Sequence, residues 1–127
     1  MIDKFGQIML YVNDVESSLN FWVEMLEFTK GKTTNDEEKL LSVELSPYNN
    51  SDVDLVIFDK EFVKENSPGV NLDAPSILFS TYNLKDMHDR LTNKGVNVSE
   101  INEYQGLVHF TFSDLDGNYF AVREIER

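Results

Sequence analysis

One pattern, written twice, constrains this chain more than any single residue does. Gln7 to Val12 alternates as a strand, with Ile8, Leu10 and Val12 on one side and Gln7, Met9 and Tyr11 on the other. Asn13 and Asp14 follow, and an aspartate there can accept from the free amides of a first helical turn. Val15, Leu19, Trp22 and Leu26 then recur at helical spacing, the stripe of a helix that covers a sheet. Adding 69 to these numbers finds the pattern again: Gln7 falls on Ser76 (76 − 7 = 69), Ile8 on Ile77, Leu10 on Phe79, Asp14 on Asn83 and Val15 on Leu84. Strand, cap and helix coincide without a gap, although few residues are identical. Such internal repetition defines an architecture before any local assignment does.

The strands after each helix complete the two halves. In the first, a weak strand follows Gly31-Lys32, the acidic run Asp36-Glu37-Glu38 reads as a solvated loop, and strands follow at Leu40–Leu45 and Val53–Phe58. In the second, Ser76–Ser80 is a strand and Leu84, Met87 and Leu91 form the helical stripe. Gly95 suits the left-handed position that ends a helix. Strands then follow at Val96–Ile101, Leu107–Ser113 and Tyr119–Ile125. Asp114-Leu115-Asp116-Gly117-Asn118 reads as the tight turn of the last hairpin. Residues 60–74, with Asn66-Ser67-Pro68-Gly69, show no period and read as a linker. The expected fold class is therefore α+β, with two βαβββ modules in tandem: module 1 over 1–59, the linker over 60–74, and module 2 over 75–127, all in one domain of 127 residues.

Composition narrows the function. There is no cysteine, which excludes disulfides, thiolate metal sites and cysteine nucleophiles. The net charge of −12 repels nucleic acid and anionic membrane, so neither is an expected partner, and it favours the approach of cations. Met1-Ile2-Asp3-Lys4 lacks the basic and apolar regions of a signal peptide, and no apolar run is long enough for a membrane span. A cytoplasmic location is the expectation. Neither a Gly-rich phosphate loop nor a Gly-x-Ser-x-Gly nucleophile elbow occurs.

Val12-x-Asp14, then Ser18-Leu19-x-Phe21-Trp22 with Leu26 and Phe28, then Gly95 and Asp114-x-Asp116-Gly117-Asn118, together resemble the vicinal oxygen chelate superfamily. That group includes glyoxalase I, extradiol dioxygenases, fosfomycin-resistance enzymes and bleomycin-resistance proteins. The likeness runs the length of the chain. It departs at Glu27, where Gly is usual, and at Leu115, where Pro is usual. It implies paired βαβββ modules whose curved mixed sheets enclose a cleft. In the family's enzymes that cleft holds a divalent metal on four strands. The matching positions here are Gln7, Ser76 where a histidine is usual, Ala121 where glutamate is usual, and Leu55 in the best register of its strand. One amide, one hydroxyl and two apolar side chains cannot hold a hard divalent cation. A register one residue different would bring in Asp54, and the set would still be short of ligands.

Two histidines remain as candidates for chemistry. His88 falls in the second helix and is expected at its surface. His109 alternates with Val108, Phe110 and Phe112, so it turns toward the cleft with Leu107 and Thr111. Tyr119, Ala121 and Arg123 on the next strand point the same way. A histidine across a hairpin from an arginine can bind an anionic group or move a proton, and an ordinary polar sheet face explains the pair as well. Glu44 can be a general base or a solvated side chain. Trp22 is expected in the core, whereas Tyr11 and Tyr119 are candidates for stacking on a planar ligand.

The expected function is that of the metal-free, bleomycin-resistance-like members: antibiotic-resistance proteins that bind and sequester a small organic molecule without a cofactor, as homodimers. The expected ligand-lining residues are Gln7, Met9, Tyr11, Leu55, Ser76, Leu78, His109, Tyr119, Ala121 and Arg123. Apolar walls with a few polar groups suit an amphiphile, and the charge favours a cationic one. The alternative is a glyoxalase- or dioxygenase-like enzyme acting on a small substrate, with His109 or Glu44 as base or with a metal held in a different register.

Overall fold

A computed structural model describes all residues from Met1 to Arg127. The chain divides into two compact units, Met1–Pro75 and Ser76–Arg127.

In the first unit, β1 (Gln7–Val12) leads into α1 (Val15–Asn20), which continues as a π-helical turn over Phe21–Met25. β2 (Thr29–Asp36), β3 (Lys39–Ser46) and β4 (Asp54–Asp59) follow, and then α2 (Lys60–Asn66). The sheet order is β1-β4-β3-β2. β1 and β4 run parallel, and the other pairs are antiparallel. A parallel pair needs a crossover, and the segment containing α1, β2 and β3 supplies it. Asp14 caps α1 by accepting from the Ser17 amide at 3.3 Å. Leu10, Val12, Val43, Leu45 and Ile57 are buried on one side of the sheet. The core also takes in Val15, Phe21, Trp22 and Phe28, with Trp22 edge-on to Phe21 and Phe28 at 5.7 and 5.1 Å between ring centroids. Full burial of one such side chain contributes roughly 1.5–3 kcal/mol.

Residues 60–66 are helical rather than part of a structureless linker. Asp59 caps this helix by accepting from the Phe62 amide at 2.9 Å, and Lys39 Nζ lies 3.1 Å from its other oxygen. Val63 is buried, and Phe62 stacks on Phe58 at 6.1 Å. Two turns are too few to display a period, and the capping residue is also the last residue of a strand, which hides the start signal.

In the second unit, β5 (Leu78–Thr81) leads to α3 (Leu84–Asn93), then β6 (Asn102–Tyr104), β7 (Leu107–Ser113) and β8 (Tyr119–Glu124). The order β5-β8-β7-β6 reproduces that of the first sheet, with β5 parallel to β8. This is the expected α+β fold of two modules in tandem, each built on a mixed four-stranded sheet. Asn83 caps α3 through the Asp86 amide at 3.1 Å, and the Leu84 amide donates to Glu124 at 2.9 Å. Gly95, at φ 83°, ends the helix in a Schellman arrangement: its amide reaches Thr92 O, and the Val96 amide reaches Leu91 O, both at 3.0 Å. Phe110, Phe112, Phe120 and Val122 are buried, as are Leu84 and Leu91 of α3.

Residues 96–101 do not form the expected strand. A single bridge joins Val98 to Phe112, and the regular ladder begins at Asn102. The Ser99 hydroxyl accepts from the Thr111 amide at 2.9 Å, so a side chain substitutes for part of the ladder. No helix is long and apolar enough to cross a membrane.

The β7–β8 turn is built on Asp114. Its Oδ1 accepts from the amides of Asp116 and Asn118 at 3.0 and 2.8 Å, and its Oδ2 accepts from Asn118 Nδ2 at 3.1 Å. Burial raises the Asp114 pKa, and the nearby Asp116 charge adds to this, whereas the bonds from Asn118 and Asp116 oppose it. A raised native pKa means that the folded chain binds this proton more tightly. The stabilisation from the proton is present below the unfolded value of about 3.9 and is lost as pH rises through the native value. Asp114→Ala is expected to destabilise by about 1–3 kcal/mol in urea unfolding. Asp114→Asn removes the titration, so the stability of the native chain relative to this variant is expected to be greater near about pH 3.5 than at neutrality.

Glu27 has φ 61°, and this explains why glycine is the usual residue there. A side chain in that region costs roughly 1–2 kcal/mol. Glu27→Gly is therefore expected to be neutral to stabilising by up to about 1 kcal/mol, after the greater freedom of an unfolded glycine is counted. Glu27→Val is expected to lower the melting temperature.

Candidate ligand-binding faces of the two sheets

Each sheet has a core side and an open side, and strand register determines which side chains share the open one. In the first unit β1 pairs with β4 as Gln7 with Asp54, Met9 with Val56 and Tyr11 with Phe58. Partners in a ladder point to the same side. β3 adds Ser42 beside Phe58 and Glu44 beside Val56. Gln7, Met9 and Tyr11 thus lie together with Asp54, Val56, Phe58, Ser42 and Glu44.

The polar groups on this face are already bonded to one another. Gln7 Nε2 donates to Glu44 Oε2 at 2.8 Å, and Ser46 Oγ donates to Asp54 Oδ1 at 2.7 Å. The hydroxyls of Thr34 and Ser42 share a hydrogen at 2.6 Å. A Cβ added to Gly31 would stand 3.3 Å from the Glu44 Cβ, so this glycine lets β2 pass close to the glutamate. Met9, Tyr11 and Phe58 remain half-buried.

Leu55 does not belong to this face. It pairs with Ile8 and Leu45 and is 4% exposed, on the core side of the sheet. The register puts Asp54 and Val56 on the side opposite to Leu55, and Val56 is itself buried there. The repeat identifies the equivalent of Ala121 more closely. Ala121 pairs with Leu78, which is Met9 + 69, and Met9 pairs with Val56. The signal missed was the unequal length of the modules, because 121 − 69 is 52 and not 56.

In the second unit, Leu78 pairs with Ala121 and Ser80 with Arg123. His109 pairs with Arg123, Thr111 with Ala121 and Ser113 with Tyr119. Asn102 lies opposite His109, and Tyr104 opposite Leu107. The expected residues Leu78, His109, Tyr119, Ala121 and Arg123 therefore share one face. Arg123 Nε donates to Ser80 Oγ at 3.0 Å, and His109 Nδ1 lies 3.2 Å from the Leu107 carbonyl, which makes that nitrogen the donor. The strand expected from Ser76 begins later: Ser76 is exposed and precedes β5, whose ladder begins at Leu78. His88, expected at the helix surface, is half-buried. Its Nε2 is 2.7 Å from Ser99 O, and its ring meets Phe110 edge-on at 5.0 Å.

The four family metal positions now read Gln7, Val56, Ser76 and Ala121. An amide, a hydroxyl and two apolar side chains do not supply the ligands that a divalent cation needs. Elsewhere no group of three or more His, Asp or Glu side chains converges to make such a site. A cavity of about 350 Å³ beyond the ends of β1 and β4 is lined by Asn13, Asp14, Glu16, Glu38, Lys39 and Asp59, among others. Its two aspartates are occupied in capping α1 and α2.

Comparison with known proteins agrees with this geometry. The profile described as Glyoxalase/Bleomycin resistance protein/Dioxygenase superfamily matches residues 4–122. The uncharacterized protein YetH of Bacillus subtilis (strain 168) is 26% identical over 125 residues, 98% of this chain and 100% of that protein. TnmS3, an antibiotic binding protein from Streptomyces sp. CB03234, superposes with a TM-score of 0.78 at 21% identity, covering 97% of this chain and 96% of that one. A member of the same superfamily from Sphaerobacter thermophilus DSM 20745 gives 0.78 at 22% identity, covering 98% of each chain. With the profile spanning nearly all of its length and the strand order repeated in both units, the chain belongs to the glyoxalase/bleomycin resistance protein/dioxygenase superfamily.

Proposed function

We propose that this protein binds a small amphiphilic organic molecule on its open sheet faces and sequesters it without metal chemistry. The observation that carries the reading is the character of those faces. Where the family's enzymes place metal ligands, the first sheet has the buried Val56 beside Met9, Tyr11 and Phe58, and the second has Ala121 beside Leu78 and Tyr119. Apolar and aromatic surface with a few fixed polar groups is the usual lining of a small-molecule site. Glu44 is held by the Gln7 amide, which supports an orienting role over that of a free base. The likeness to an antibiotic-binding protein supports the same class of function. On this reading the chain works as one domain in a cytoplasmic homodimer, and its charge of −12 draws cationic molecules from a distance.

Calorimetric titration with bleomycin and other cationic aromatic molecules tests the reading. Saturable binding is expected for at least one of them, with affinity unchanged by EDTA, and titration with Mn²⁺, Ni²⁺ or Zn²⁺ is expected to show no stoichiometric site. Ala121→Trp, which fills the floor between Leu78 and Thr111, is expected to weaken binding about tenfold or more while leaving the melting transition in place. A bound equivalent of metal, lost together with a lyase or dioxygenase activity, would overturn the proposal.

A further inference from the structure

The charge on the second sheet's open face runs against that of the whole molecule. The chain has 23 acidic and 11 basic side chains, so the field of the whole molecule is negative. Lys39, Lys85 and Arg90 are each paired with an aspartate. Arg123 is not. Its one bond goes from Nε to the Ser80 hydroxyl, a neutral partner that orients the guanidinium and leaves both terminal nitrogens available. His109 stands directly opposite on β7, with Nδ1 turned to the Leu107 carbonyl and Nε2 left over.

Along β8 away from this pair the face turns apolar. Two residues back along β8 is Ala121, whose short side chain leaves a low floor between Leu78 and Thr111. Two residues further back is Tyr119, 67% exposed, and Leu78 is 48% exposed. Along one strand the face therefore runs from an exposed ring, across a small residue, to an unpaired guanidinium held in place.

We propose that Arg123, oriented by Ser80 and flanked by His109, recognises a carboxylate on the ligand, whose flat apolar body lies over Ala121 against Tyr119 and Leu78. The guanidinium fork matches a carboxylate with two parallel bonds, which a lysine cannot reproduce. This rests on the small-molecule reading above and adds the ligand's chemical class. The bulk charge acts on approach out to about a Debye length, whereas contact chemistry is set by the side chains at the face, so the two signs do not conflict. A ligand can carry a cationic group elsewhere.

Three probes of one shape test it: 2-naphthoate, 2-naphthylmethanol and 2-naphthylmethylammonium, titrated by calorimetry into the native chain and into Arg123→Gln and Arg123→Lys. Arg123 is exposed and outside the core, so both variants are expected to melt as the native chain does, which melting curves check. The native chain is expected to bind naphthoate about tenfold or more tightly than the neutral alcohol. Arg123→Gln is expected to remove that preference without weakening the alcohol or the ammonium, and Arg123→Lys to retain part of it. Equal binding of naphthoate and the alcohol, or a preference that survives Arg123→Gln, overturns the carboxylate proposal and leaves the small-molecule reading standing. Failure of all three probes to bind counts against both.

Discussion

Each unit depends on a parallel ladder between its first and its last strand. β1 with β4, and β5 with β8, are adjacent in space and at opposite ends of their modules in sequence. Antiparallel neighbours can be joined by a short turn, but this pair requires a crossover that carries a helix to one side of the sheet. Once the helix is on one side, the alternation of every strand is decided. Leu10, Val12 and Ile57 go to the core of the first unit, and Phe110, Phe120 and Val122 to that of the second. The residues between them are left on the open faces. Strand order is thus the physical origin of the candidate site.

The polar chemistry of the two faces differs because their neighbours differ. On the first sheet the acids Glu44 and Asp54 accept from the neutral donors Gln7 and Ser46. On the second a cation, Arg123, donates to a neutral hydroxyl. In both cases a charged group is oriented by an uncharged partner, so its charge is not cancelled and can act on something outside the protein. This contrasts with Asp59, which is buried, paired with Lys39 and engaged as a helix cap. That carboxylate serves the fold.

Local turn chemistry was legible because it is local. Asp14, Asn83, Gly95 and the Asp114–Asn118 turn all act as the residue types and spacings indicate, through bonds spanning a few residues. Glu27 is a departure from the family pattern that the backbone explains: a left-handed conformation is imposed where the helix ends, and the chain retains a side chain there. The elements that depart from the local pattern depend on distant partners. α2 is short and is held by Lys39 and Phe58, His88 turns inward because Ser99 and Phe110 receive it, and residues 96–101 give up regular pairing to a serine hydroxyl.

The repeat, the fold class, the core faces of β1, β7 and β8, and the absence of a glutamate at position 121 are all legible in the order of residues. Period, caps and turns are properties of a few consecutive residues, so they survive without knowledge of the fold. That Asp54 and Val56 share a face with Gln7, and that Leu55 does not, emerges only on folding, because it depends on the register of two strands more than forty residues apart. A slip of one residue reverses every side chain in a strand, and four extra residues between the helix and last strand of the first module are enough to hide the correct register. The same dependence on pairing placed Ser80 beside Arg123 and moved Ser76 out of the ladder.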